Sequence, residues 1–322
     1  MFRIKVSSPC KINLHLSVGE HRGDGYHNLE SMFQVVDFGD TLSLEPLETD
    51  GVCEVLLNSS LSWGAFPASP EENIVYRAVS LFRRRTGFDR GLRICLEKRV
   101  PLGGGLGGGS SNAAAALGAL NVLAGTGLSP AELRDMALCL GSDVPFFLPD
   151  LPGPRGPDGS PALGSGGAAW VSGRGERIVP LETPRSWPVV LVNPGFASPT
   201  AEAFRRLDAW RLARCPGGGV TDTGPRRETL AGALAAGPAE WPFRNDFLAA
   251  LGSGEGAYRR IVSALRDLGA GFTGLSGSGS TCFGVFTDGG EAERAARLLA
   301  DHWFFVCVTF FLACSAFQVV EY

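Results

Sequence analysis

Motifs that would hold a metal or shuttle a disulfide are missing from this chain. Its eight cysteines, at positions 10, 53, 95, 139, 215, 282, 307 and 314, include no C-x-x-C pair, and its four histidines show no ligand spacing. That pattern excludes the common zinc and dithiol motifs and points to reduced, mostly buried thiols in a cytoplasmic protein. An excess of positive charge is also lacking: 29 Lys and Arg stand against 33 Asp and Glu, for a formal net charge of −4. No nucleic-acid footprint follows from such a balance. The opening residues, Met1 to Ser8, alternate charged and apolar side chains and have no signal-peptide apolar core. Long uncharged runs are few. One covers the eighteen residues from Trp303 to Val320, the lower edge of a spanning length. Its Thr309, Ser315, Gln318 and two cysteines, and its aromatic and β-branched character, predict instead a buried closing strand around 304–312, with no membrane as partner.

Glycine is plentiful, and its placement is informative. Pro101 to Asn112 read P-L-G-G-G-L-G-G-G-S-S-N, between a strand-like run (92–100) and an alanine-rich helical run (113–123). Each glycine inside regular structure costs about 0.5–1 kcal/mol relative to alanine, so a dense run implies a need for bare backbone. An anion supplies that need, because backbone N–H groups and the positive end of the following helix converge on it. Pro101, Gly103, Gly104, Gly105, Leu106, Gly107, Gly108, Gly109, Ser110 and Ser111 are therefore read as a triphosphate cradle. No lysine follows Gly109, which excludes a Walker A loop. Gly103, Gly105 and Gly108 satisfy G-x-G-x-x-G, but the strand with an acidic end that a dinucleotide fold requires does not follow. A capping box, Ser129-Pro130-Ala131-Glu132, opens another helix instead. Leu102 and Leu106 punctuate the run and argue against a plain linker.

Length, 44% hydrophobic residues and 19% charged residues fit a soluble enzyme of two domains. Apolar alternation predicts strands over 2–6 and 12–18, with a further strand at 40–47. Helical spacing appears over 73–85, and residues 149–167 form a Pro/Gly-rich surface excursion. A second domain opens near Trp187 with the apolar run 189–192. Helices are expected there at 198–207, 228–235, 258–268 and 291–300, and strands at 272–275 and 281–286. The division falls at 1–182 and 183–322, and the class is α+β.

Five segments in order, Ser8 to Leu14, Gly25-Tyr-His27, Pro101 to Asn112, Gly141 to Pro145 and Leu275 to Gly279, resemble the successive signatures of the GHMP small-molecule kinases. The likeness runs from residue 8 to about residue 312. It implies a ribosomal-protein-S5-domain-2-like N-terminal domain, a ferredoxin-like C-terminal domain, and ATP with Mg²⁺ in the cleft between them. Within the family it is closest to kinases whose acceptor is a cytidine diphosphate-linked methylerythritol, acting as monomer or homodimer. Kinases for homoserine or mevalonate, and a non-catalytic nucleotide sensor, are the alternatives.

The resemblance also assigns residues. Lys11 and Asp143 take the catalytic roles; on alternation alone Lys11 and Asn13 fit a solvated strand face, and Asp143 fits a turn or cap. Asn13, Tyr26, His27, Thr200, Phe204, Gly277, Ser278 and Gly279 fall on the acceptor side. Tyr26 would stack on cytosine, His27 would bond it, and Phe204 would oppose it, although a core-helix role for Phe204 fits equally well. Asn73 and Lys98 lie toward adenine, and Ser110 or Ser111 is the hydroxyl available to Mg²⁺. Cys10, where relatives carry a small residue, either packs or is made reactive by Lys11 beside it.

Overall fold

The computed structural model describes residues 3–59, 69–148, 167–183, 185–214, 227–252, 254–313 and 319–321. Most of the Pro/Gly-rich excursion lies outside them. Two long antiparallel strands form the spine, β1 (Ile4–His21) and β2 (His27–Leu47). The two strands expected at 2–6 and 12–18 are thus one. Their register shifts between Pro9 and Lys11, between Asn13 and His15, and between Val18 and His21. Such bulges re-aim side chains and raise local twist, while Lys11 and Asn13 still share one face and Ile12 and Leu14 the other.

The first sheet has the order β11-β1-β2-β4-β3, where β3 is Cys53–Ser59, β4 Gly91–Lys98 and β11 Val319–Glu321. The other end of β2 pairs with β5 (Ala168–Gly173), which pairs in turn with β6 (Arg177–Leu181). Three helices cover this sheet. The first, α1 (Ile74–Thr86), starts on an Asn73 cap that accepts from the Val75 N–H and stops at Gly87 in the left-handed region. The second, α2 (Gly108–Ala124), has Ala113 to Leu117 fully buried, because methyl side chains let it sink into the core. It begins five residues before the alanine run, inside the glycine segment. The third, α3 (Pro130–Leu140), carries the predicted capping box with both reciprocal bonds formed.

The second sheet is four-stranded and antiparallel, in the order β10-β7-β9-β8. Its strands are β7 (Pro188–Asn193), β8 (Phe272–Leu275), β9 (Cys282–Val285) and β10 (Phe305–Phe310). Counted within the sheet the order is 4-1-3-2, the ferredoxin-like arrangement. Four helices accompany it: α4 (Thr200–Arg214), α5 (Arg227–Ala233), α6 (Glu255–Asp267) and α7 (Gly289–Ala300). The uncharged C-terminal run thus supplies a sheet strand, at the sheet's edge and half-buried rather than buried as expected, with Phe304 and Phe310 exposed. Among the described residues no helix is long and apolar enough to cross a membrane.

Ile12 and Leu14 of β1 share a core with Val189, Leu191 and Phe283 of the second sheet. The first strand is therefore covered on both faces, and the solvated-face reading of Lys11 does not hold: the residue is 3% exposed. A charge enclosed this far needs partners.

Candidate active site

One cavity of about 430 Å³ opens between the sheets. Its wall includes Lys11, Asn13, Lys98, Pro101, every residue from Leu102 to Ser110, Asp143, Thr200, Phe204, Gly277 and Ser278. Side chains more than 260 positions apart meet there.

The glycine loop is held from behind. Its successive carbonyls accept hydrogen bonds from different segments: Gly103 from Ser198 N (3.1 Å), Gly104 from Thr281 N (3.1 Å), Gly105 from Ser276 Oγ (2.9 Å), Leu106 from Lys11 N (3.0 Å) and Gly107 from Ser111 N (2.9 Å). A trans peptide sets each following N–H antiparallel to its carbonyl, so the amides of residues 104 to 108 point away from these partners. Gly107, in the left-handed region, precedes α2 without a side-chain cap. That helix end keeps its free N–H groups and dipole for a ligand. Close approach explains the glycines. A side chain on Gly105 would collide with the Ser276 carbonyl oxygen, and one on Gly107 would meet Lys11 Cε and Phe147 Cζ at 3.1 Å.

Beside the loop, Lys11 Nζ bonds Asn13 Oδ1 (2.6 Å), stands 3.4 Å from Asp143 Oδ2 and lies 4.4 Å over the Phe33 ring. Asp143 follows the end of α3 and opens a short 3₁₀ turn, Val144–Phe147, with its side chain 33% exposed to the cavity. The amide of Asn13 donates to Ser31 Oγ (2.9 Å), and Ser31 donates to the His15 carbonyl (2.6 Å). An enclosed cation, an accessible carboxylate and a row of amides therefore share one space. Such a set stabilises developing negative charge and accepts a proton at the same point.

The far end of the cavity is apolar, with Leu16, Leu29, Phe204 and Phe247. The Phe204 ring stacks on His27 at 4.8 Å and 14°, and His27 Nε2 is 2.9 Å from Asp208 Oδ1. Tyr26 is 52% exposed, with the Arg174 guanidinium 5.0 Å over its ring. The aromatic that faces Phe204 is thus His27, with Tyr26 at the surface. Thr200 Oγ1 and Ser278 Oγ are 3.2 Å apart at the mouth.

Some predicted residues support the wall from behind. Asn73 caps α1, Ser111 lies buried 2.8 Å from Ser8 Oγ, and Gly279 turns toward Leu275 and Tyr258. Sequence reading named the 275–279 segment but gave no role to Ser276, which grips the loop, and it missed Asn245, whose Nδ2 donates to the Leu275 (2.7 Å) and Gly277 (2.8 Å) carbonyls. Ordinary loop residues whose partners lie far along the chain carry no local signal.

The reactive alternative for Cys10 does not hold. Burial, reinforced by Asp40, pushes its thiol far above the ordinary range and outweighs Lys98. Burial likewise pushes Cys282 up to about 12. Native alkylation with iodoacetamide at pH 8 is expected to modify the exposed Cys139 and to spare Cys10 and Cys282 until the chain is unfolded. Peptide mass mapping checks this; native labelling of Cys10 at the rate of Cys139 would contradict it.

The family models for the GHMP kinases N terminal domain and GHMP kinases C terminal match residues 73–149 and 241–303. The chain belongs to the GHMP kinases. Its particular likeness is to the 4-diphosphocytidyl-2-C-methyl-D-erythritol kinase of Treponema pallidum (strain Nichols), 38% identical over 94% of this chain and 97% of that protein. A crystal structure of 4-(cytidine 5'-diphospho)-2C-methyl-D-erythritol kinase superposes with a TM-score of 0.72 at 31% identity, covering 95% of this chain and 98% of that one. A homoserine kinase from Cytophaga hutchinsonii shares the fold, with a TM-score of 0.66 at 18% identity over 99% and 97% of the two chains.

Proposed function

We propose that this protein transfers the γ-phosphoryl group of ATP to the C2 hydroxyl of 4-diphosphocytidyl-2-C-methyl-D-erythritol, giving the 2-phosphate and ADP in non-mevalonate isoprenoid precursor synthesis. The observation that carries this reading is the Lys11–Asp143 pair, 3.4 Å apart, in one cavity with the glycine loop. ATP supplies the phosphoryl group; the protein supplies position and charge.

The amides of the loop and the N-terminus of α2 hold the triphosphate. Asp143 takes the proton of the acceptor hydroxyl as that oxygen bonds to the γ-phosphorus and the bond to the ADP oxygen breaks. Lys11, fixed by Asn13 and set over Phe33, stabilises the equatorial oxygens in the loose transition state. Ser110, on the wall in the first turn of α2, would offer its hydroxyl to Mg²⁺. Among the described residues no three His, Cys, Asp or Glu side chains cluster as a metal site. When bound, the ion would neutralise charge on the phosphate oxygens.

On the acceptor side, His27 and Phe204 recognise the cytosine, and Thr200, Gly277 and Ser278 line the path between base and phosphate. A division at 182/183 puts the loop in one domain and Thr200, Phe204 and the 277–279 turn in the other, so the reaction runs where they meet. The cytoplasm is its proposed place of action.

ADP release is expected only when ATP and the diphosphocytidyl acceptor are both present. CMP should compete with the acceptor and not with ATP. Turnover of homoserine or mevalonate without CMP inhibition would favour the other family activities, and ATP binding without turnover would favour a sensor.

A further inference from the structure

Beneath the glycine loop lies a charge pair that the reaction above does not use. Asp40 of β2 is fully buried, and its Oδ1 accepts hydrogen bonds from the backbone N–H groups of Arg99 (2.7 Å) and Val100 (2.8 Å). Its Oδ2 is paired with the ammonium of Lys98, a side chain only 4% exposed that nevertheless reaches the cavity wall. The same ammonium lies 3.1 Å from the point where a side chain on Gly108 would begin, beside the first residue of α2.

Stability alone does not account for this arrangement. A buried ion pair costs the desolvation of both ions, and apolar residues of similar volume often serve as well or better. Here the cation also abuts the positive end of a helix, a repulsive placement unless an anion occupies the cavity. With an anion present, the two positive fields add.

We infer that Asp40 is a positioning residue of the nucleotide site, fixing the Lys98 ammonium at the start of α2 so that it faces the bound nucleotide. The inference rests on the reading of this cavity as an ATP site. Its chemistry is specific to a carboxylate. Asparagine at position 40 would keep one oxygen for the Arg99 and Val100 amides, but would turn an N–H₂ toward an ammonium that has no acceptor to offer.

The test is direct ATP binding by calorimetry, without acceptor, for wild type, Asp40→Asn, Lys98→Met and the double variant, with KM for the acceptor measured alongside. Asp40→Asn is expected to weaken ATP binding at least tenfold and to leave the acceptor KM within threefold. In the Lys98→Met background the same change should cost less than twofold, because its effect runs through Lys98. ATP binding by Asp40→Asn within twofold of wild type would overturn the inference, as would a tenfold loss that persists without Lys98. If Asp40→Asn does not fold, Asp40→Leu/Lys98→Met, which buries no charge, replaces it. A tenfold loss of ATP affinity there, matched within twofold by Lys98→Met alone, supports the role, and wild-type affinity or a further loss beyond that of Lys98→Met overturns it. Failure of the wild-type protein to bind ATP would instead sink the ATP-site reading itself.

Discussion

Asp143→Ala is expected to lower kcat by about 10²–10⁴, the range for a positioned general base, while KM for ATP stays within about threefold. The asymmetry follows from the geometry. Asp143 stands 3.4 Å from Lys11 Nζ and is not among the partners that hold the loop's carbonyls, so its loss leaves the triphosphate cradle intact. What disappears is the acceptor of the hydroxyl proton, needed only as phosphoryl transfer begins. Lys11 then loses its nearest carboxylate but keeps Asn13 Oδ1 and the Phe33 face, so the fold should tolerate the change. Steady-state kinetics with each substrate varied checks this. A kcat within tenfold of wild type would remove Asp143 from the base role.

Gly105→Ala should act on the other half of the site, and more bluntly. Residue 105 has φ +78, where an L side chain is strained, and the new methyl would collide with the Ser276 carbonyl and lie 3.0 Å from the Gly279 carbonyl oxygen. Both obstacles are backbone, so neither can swing aside. Left-handed strain of roughly 1–2 kcal/mol and overpacking of about 1–3 kcal/mol predict a clear fall in melting temperature. Any folded fraction should show KM for ATP raised about tenfold or more, since a displaced loop loses its converging amides. Gly118→Ala on α2 is the control. Nothing lies within 4 Å of its added methyl, and a helical alanine there should be neutral or stabilising by about 0.5–1 kcal/mol. Equal damage from the two substitutions would contradict the account of the loop.

The parts of this molecule that were legible in its sequence are those whose cause is local. Ser129 caps its helix through an atom three residues away, and its capping box stood out, whereas Asn73, read toward adenine, turns out to cap α1. The glycine loop was legible because its cost demanded a reason, and residues 103 to 110 do line the cavity. Lys11 shows the limit. Alternation placed it correctly with Asn13 but could not tell water from enclosure, which is settled by second-sheet residues near 190 and 283 packing against Ile12 and Leu14. Strand β3 escaped notice because its half-buried positions alternate weakly, and β5 and β6 follow the Pro/Gly-rich excursion with little pattern of their own. Ser276 and Asn245 are common loop residues whose partners only the fold supplies. Phe204 remained even between core and site from sequence. In the structure it lines the cavity while packing edge-on against Phe247 at 5.0 Å and stacking on His27.

A crystal structure with a non-hydrolysable ATP analogue and the diphosphocytidyl acceptor tests the central claim most directly. The account predicts the γ-phosphate between the amides of the glycine loop and Lys11, with the C2 hydroxyl bonded to Asp143 and about 3–3.5 Å from the phosphorus. A triphosphate bound elsewhere, or an acceptor whose hydroxyl lies far from Asp143 in the closed complex, would contradict it.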